Sequence, residues 1–278
     1  MPKFCANLSM LFTDVEFPDR FDAAAQAGFR GVEFHFPYAF DRAMLAERMQ
    51  RAGVETVLFN LPPGNWEKGD RGIACLPSRM SEFRDGVGLA IEYARALGCR
   101  RLNMLSGVVP ETARRISAGV LRETFISNLR YAAGALEREG IALMMEPINT
   151  RSIPGIYLKY SAQALALISE AAVSNAWLQY DIFHMQIMEG DLSRTIEANL
   201  ARIGHMQIAD APDRHEPGTG EINHAYLFEQ IDRLGYSGWI GAEYLPANTA
   251  PGGTQAGLGW FSPYRMSVAG APAAQPAS

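Results

Sequence analysis

Lysine is scarce in this chain of 278 residues: Lys3, Lys68 and Lys159 are three of its 25 basic side chains. None stands late in an apolar strand-like run, which argues against Schiff-base chemistry on a lysine. Cysteine is equally sparse, and Cys5, Cys75 and Cys99 are odd in number, far apart and without CxxC spacing. That excludes a disulfide framework and a zinc ribbon, and leaves buried or inert thiols. No apolar run approaches the roughly 18 residues of a membrane helix, and MPKFCANLSM lacks a basic region leading into an apolar segment. The expectation is a cytosolic chain with no membrane association. An excess of basic charge is missing too: 25 Lys plus Arg against 30 Asp plus Glu give a net charge of -5, so nucleic acid is not an expected partner. The twelve dispersed methionines read as core filling.

What is present is a repeated unit. Helix-like stretches end at Gly28, Gly53, Gly98, Gly140, Gly204 and Gly235, each followed at once by a short apolar run. A glycine closing a helix and an apolar run buried on both faces give helix, glycine, parallel strand. Strands are expected at 4–7, 31–36, 56–61, 101–105, 141–148, 177–183, 205–209 and 239–244. Helices are expected near 18–27, 41–52, 78–97, 112–139, 160–171, 191–203 and 223–234. Eight strands alternating with helices favour an α/β fold, a single (β/α)8 TIM barrel spanning 1–265, with 266–278 as an Ala/Pro/Ser-rich solvated tail. A doubly wound sheet would carry a glycine-rich phosphate loop after its first strand, where this chain reads NLSMLF. The glycine pair Gly218 and Gly220 lacks the third glycine of a dinucleotide fingerprint.

In such a barrel the chemistry belongs at the carboxyl ends of the strands. Glu146, Asp181, Gln207 and Glu243 fall there on four successive strands, separated by 35, 26 and 36 residues. Three carboxylates and an amide carbonyl form an oxygen set suited to Mg2+ or Mn2+; the competing reading is salt bridges to arginines inside the barrel. His184, three residues past Asp181, is placed to face a substrate. Arg214, on a loop stiffened by Pro212 and Pro217, is a candidate clamp for a substrate carboxylate. His205 is expected to pack or to bond backbone, and one of Glu33 and His35 to line the pocket. Asn7, Asn60 and Asn103 are candidate hydrogen-bonding groups for a small polar ligand.

The stretches ANLSMLF, FRGVEFHFPY, NLPPGNW, RGIACLP, FRDGV, EPIN, QYDIFHMQ and GHMQIADAPDRHEPGTGEIN resemble the hydroxypyruvate isomerase family from about residue 3 to Arg265. That family sits among the xylose isomerase-like barrels with ketose 3-epimerases and 2-oxo-tetronate isomerases. The resemblance implies a metal at Glu146, Asp181, Gln207 and Glu243, with Glu146 and Glu243 as the acid-base pair and His184 and Arg214 on the substrate. The implied reaction converts hydroxypyruvate to tartronate semialdehyde. A 2-oxo-tetronate isomerase, a ketose 3-epimerase and a non-catalytic binder of sugar acids remain the alternatives. In each the partner is a small hydroxy-oxo acid or sugar, and a homo-oligomer formed through exterior helices is compatible with the sequence. The chain departs from the family at Leu245, where a basic residue is common; Arg151, after EPIN, is the candidate to compensate.

Overall fold

The computed structural model describes residues 1–109 and 117–265. Eight parallel strands close into a barrel in sequence order: β1 Lys3–Asn7, β2 Gly31–Phe34, β3 Glu55–Asn60, β4 Arg101–Asn103, β5 Ala142–Met145, β6 Ala176–Asp181, β7 Ile203–Ile208 and β8 Trp239–Ala242. Closure is made by β1 against β8, from Lys3 opposite Trp239 to Ala6 opposite Ala242. Outside run α1 Arg20–Gln26, α2 Arg42–Ala52, α3 Met80–Leu97, α4 Ala118–Glu137, α5 Ser161–Ala171, α6 Ile182–Met188, α7 Leu192–Asn199 and α8 His224–Arg233. A short α9, Gly253–Ala256, and a 3-10 stretch, Leu258–Tyr264, follow β8. Every expected strand and helix is present, though residues 112–116 of the expected fourth helix, and the 266–278 tail, lie outside the described residues.

Local chemistry explains the boundaries. Asp41 caps α2 by accepting from Met44 N at 2.9 Å, and Gly53 ends it in the left-handed region at φ 66°. Four of the other five glycines also take positive φ, but Gly204 does not close a helix. It lies inside β7 at a register shift, where Leu178 pairs with Ile203 and Gln179 with His205. A Cβ on Gly204 would come within 2.7 Å of Trp177 and 2.8 Å of Met144, so the extra residue of the bulge has to be small.

The main core lies between the barrel wall and the helices, with Phe29, Leu97, Phe125, Leu167 and Ile231 all buried. A smaller apolar plug of Cys5, Val57, Leu58, Met144 and Trp239 is built by strand residues of the barrel. These clusters give a rigid wall from which the strand ends project polar groups.

Candidate active site

The polar ends of the last four strands are set by where each ladder stops. β5 stops at Met145, three residues short of the expected strand end, because Pro147 has no N–H to continue it. Glu146 follows the last paired residue. β6 likewise ends earlier than expected, at Asp181, whose Oδ1 accepts from His184 N at 3.0 Å and caps α6, a helix the sequence patterning did not separate from the strand. Glu243 follows β8. All three carboxylates are buried, Asp181 completely.

Each has its own partners. Glu146 Oε2 accepts from Asn103 Nδ2 at 2.7 Å. Glu243 Oε1 pairs with His35 Nε2 at 2.7 Å and accepts from Asn7 Nδ2 at 3.1 Å. Its Oε2 accepts from Arg214 Nη2 at 2.7 Å, and that nitrogen also stands 3.7 Å from Asp181 Oδ2. Arg214 therefore sits among the acids, held at φ 61° by its N–H to Asp210 O and by Leu245 N on its carbonyl.

These surroundings drive the carboxyls apart in acidity. Burial would raise Glu243, but Arg214 and His35 overcome it and hold the group down to about 2. Burial, then the charges of Glu243 and Asp181, push Glu146 well above the usual carboxylate range. Burial lifts Asp181 to about 7 against the opposing pull of Arg214. Asp181 Oδ2 is buried with no hydrogen-bond partner. A donor set of crowded, hard oxygens with an orphaned carboxylate atom fits a small divalent cation, which would relieve both the repulsion and the unmet oxygen.

His184 presents its Nε2 3.7 Å from Glu146 Oε1 and 3.6 Å from Asp181 Oδ2, and ligand atoms of the three residues lie within 4.8 Å of one another. Its tautomer follows from Asn149. Asn149 Oδ1 accepts from Arg151 N at 3.0 Å and Ser152 N at 2.7 Å, so its Nδ2 faces His184 Nδ1 at 2.6 Å and donates. Nδ1 is then the acceptor and Nε2 carries the proton. Burial and Arg214 hold the imidazole well below its ordinary pKa, so it is a neutral N–H donor aimed at the acids.

Gln207 is brought to the adjoining layer. Its Nε2 donates to Glu33 Oε1 at 2.8 Å and its Oε1 accepts from Gln179 Nε2 at 2.6 Å, which leaves one carbonyl lone pair. Glu33 is the hub of that layer: Oε1 also accepts from Asn7 Nδ2 at 3.0 Å, and Oε2 pairs with His205 Nε2 at 2.7 Å. One sequence expectation is corrected here: His205 bonds a carboxylate instead of packing or bonding backbone. Of Glu33 and His35, both tied into the polar network, His35 is the one that lines the cavity, as expected. Asn7 donates to Glu33 and Glu243, and Asn103 to Glu146 and to Asn60 Oδ1, so both hold the carboxylates in place before any ligand arrives.

Above the acids lies a cavity of about 220 Å³, lined by His35, Glu146, His184, Arg214 and Glu243 on its polar side and by Met10, Leu105, Ile148 and Ile153 on its apolar side. Its volume falls below the roughly 300–1,000 Å³ usual for larger ligands. Trp66 and Arg71 also line it. The patterning passed over both, although the Pro/Gly-rich loop after β3 stands at the carboxyl ends of the strands and was the available signal. Arg151 is exposed and does not line the cavity.

A family model described as the xylose isomerase-like TIM barrel matches residues 21–264. The chain is 51% identical to a hydroxypyruvate isomerase of Escherichia coli K12, over 95% of this chain and 100% of that protein. It is 46% identical to a 2-oxo-tetronate isomerase of Cupriavidus necator, over 95% of this chain and 99% of the relative. A solved structure from Brucella melitensis, described as an AP endonuclease of family 2, superposes with a TM-score of 0.91 at 45% identity, covering 96% of this chain and all of that one.

Proposed function

The chain belongs to the hydroxypyruvate isomerase family of xylose isomerase-like TIM barrels, and from that premise we propose that it interconverts hydroxypyruvate and tartronate semialdehyde. The observation that carries the reading is the pair Glu146 and Glu243: two buried glutamates on one small cavity, one pushed toward its protonated form and the other held ionised. Paired carboxyls with separated acidities are what a reaction needing both a base and an acid requires. An acidic cavity of about 220 Å³ also disfavours a phosphate backbone as ligand.

Isomerisation removes a proton from C3 of hydroxypyruvate, returns one to C2 and passes the C3 hydroxyl proton to the C2 oxygen. Glu243, kept ionised by Arg214 and His35, accepts the C3 proton. Glu146, held in place by Asn103, delivers a proton to C2, and the roles reverse in the opposite direction. His184 Nε2–H donates to oxygen as negative charge gathers on the enediolate between the two proton transfers. Glu146, Asp181 and Glu243, together with the Gln207 carbonyl, would hold Mg2+ or Mn2+, and the bound ion supplies Lewis-acid polarisation of the substrate's carbonyl and hydroxyl oxygens. The apolar wall of Met10, Ile148 and Ile153 limits water around the reacting carbons.

A substrate panel tests the reading. With Mn2+ present, turnover is expected with hydroxypyruvate or its longer homologue 2-oxo-tetronate, at least about a hundred-fold above that with a neutral ketose, and chelation abolishes it. Turnover of the ketose alone, or activity indifferent to the chelator, overturns it.

A further inference from the structure

A cavity lined by the carboxyl groups of Glu146 and Glu243, with Asp181 buried beside them, disfavours an anionic substrate unless a cation meets the substrate's own carboxylate. Two arginines, Arg71 and Arg214, line the space. Arg214 has spent the edge that matches a carboxylate, giving Nη2 to Glu243 Oε2 at 2.7 Å and Nε to Glu243 O at 3.3 Å. We propose that Arg71, on the loop after β3, receives the carboxylate of the hydroxy-oxo acid and makes the site specific for acids over neutral sugars. The assignment rests on the isomerase reading given above.

The geometry of Arg71 is that of a prepared receptor. Its Nη1 gives both hydrogens to backbone carbonyls, Asp70 O at 2.7 Å and Trp66 O at 3.0 Å. The guanidinium lies 3.8 Å from the centroid of the Trp66 ring. Nε and Nη2, the edge that binds a carboxylate through two parallel hydrogen bonds, have no partner among the described residues. Stacking fixes the plane while the carbonyls fix the rotation.

The backbone is pinned as well. Gly107 N donates to Arg71 O at 3.2 Å and Gly72 N to Pro63 O at 3.0 Å, and Gly72 bridges to Ser106. Gly72 sits at φ 91° against the Leu105 carbonyl with no room for a Cβ, so the position after Arg71 admits only glycine without distortion. Asp70 staples the loop by accepting from Asn65 N at 2.5 Å and pairing with Arg79 at 2.6 Å. A loop tied this closely loses little freedom on binding.

The test uses tartronate, a non-isomerising hydroxy diacid, with wild type, Arg71→Gln and Arg71→Lys, each checked by its unfolding midpoint. Calorimetry should show tartronate affinity reduced roughly ten- to a hundred-fold in Arg71→Gln, the range expected for losing charge-assisted hydrogen bonds, with partial recovery in Arg71→Lys. The KM for hydroxypyruvate should rise by a similar factor while kcat changes by less than about five-fold, the pattern of lost uniform binding. Dihydroxyacetone, which lacks the carboxylate, should bind the two proteins alike. In wild type, tartronate should shield Arg71 from phenylglyoxal, a readout that needs no variant. Tartronate affinity within about two-fold of wild type in Arg71→Gln, or no shielding, overturns the proposal. Wild type that binds tartronate through Arg71 yet isomerises neither 2-oxo acid upholds Arg71 and overturns the isomerase reading instead.

Discussion

Replacing Asp181 with asparagine should stabilise the metal-free protein while removing its function. The carboxyl is fully buried and its pKa is pushed from 3.8 to about 7, chiefly by burial. At about 1.36 kcal/mol per pH unit, ionising it in the folded chain costs on the order of 4 kcal/mol more than in the unfolded chain. Below pH 4 the group is protonated in both states and contributes nothing. Between about pH 4 and 7 only the unfolded chain releases the proton, so stability falls as pH rises, and above 7 the full penalty applies. The amide keeps the cap on His184 N, and the attraction of Arg214 3.7 Å away is already counted in the pKa of about 7. The expected net gain for Asp181→Asn in chelator at pH 8 is therefore about 1–4 kcal/mol, or roughly 2–4 °C in Tm for each kcal/mol, shrinking toward zero near pH 4.5. Urea unfolding at the two pH values, with chelator and then with Mn2+, is the assay. Mn2+ should stabilise wild type, by about 2.7 kcal/mol at a hundred times its Kd, and leave the variant unchanged. A variant less stable than wild type in chelator at pH 8 would refute the reasoning, because Asp181 would then be a satisfied partner of Arg214 and not a strained cation ligand.

Burial pushes Cys75 and Cys99 up to about 12, and burial with Glu33 raises Cys5 well above the ordinary thiol, so a thiol reagent at pH 8 should label none of them until urea is added. Fast native labelling would contradict the packing. Gly241→Ala would drive a Cβ into the Glu33 carboxylate, and because Glu33 holds the Asn7 that holds Glu243, the variant should lose about 1–3 kcal/mol of stability and at least ten-fold in kcat. Wild-type unfolding and turnover would sever that chain of contacts. Asn103→Leu removes the 2.7 Å donor on Glu146, and kinetics should show kcat lowered by roughly ten- to a hundred-fold with the circular dichroism unchanged.

The barrel was legible because two signals coincide along the chain. Glycines such as Gly53 and Gly98 close helices, and short apolar runs follow them at intervals of one strand plus one helix. The positions of Glu146, Asp181 and Glu243 were legible for the same reason, since an acid ending an apolar run can only stand at a strand end. What sequence did not carry was parity and capping. The Gly204 bulge sets the β7 register so that Gln207 pairs with Asp181, and no apolar pattern foretells that its side chain also bonds Glu33 and Gln179. Asp181 ends its strand by capping a helix, which no apolar pattern reveals. Arg71 and Trp66 are joined by stacking and backbone contacts within a loop, where there is no periodicity to read.

The central claim is two-glutamate proton transfer, and proton NMR of hydroxypyruvate in heavy water with the Mn2+-loaded protein tests it most directly. Because the group that delivers to C2 differs from the one that empties C3, the account predicts tartronate semialdehyde carrying solvent deuterium at C2. It also predicts turnover reduced at least about a hundred-fold in both Glu146→Gln and Glu243→Gln. Product whose C2 holds only the substrate's own hydrogen, or near-full turnover by a folded Glu243→Gln, would contradict it.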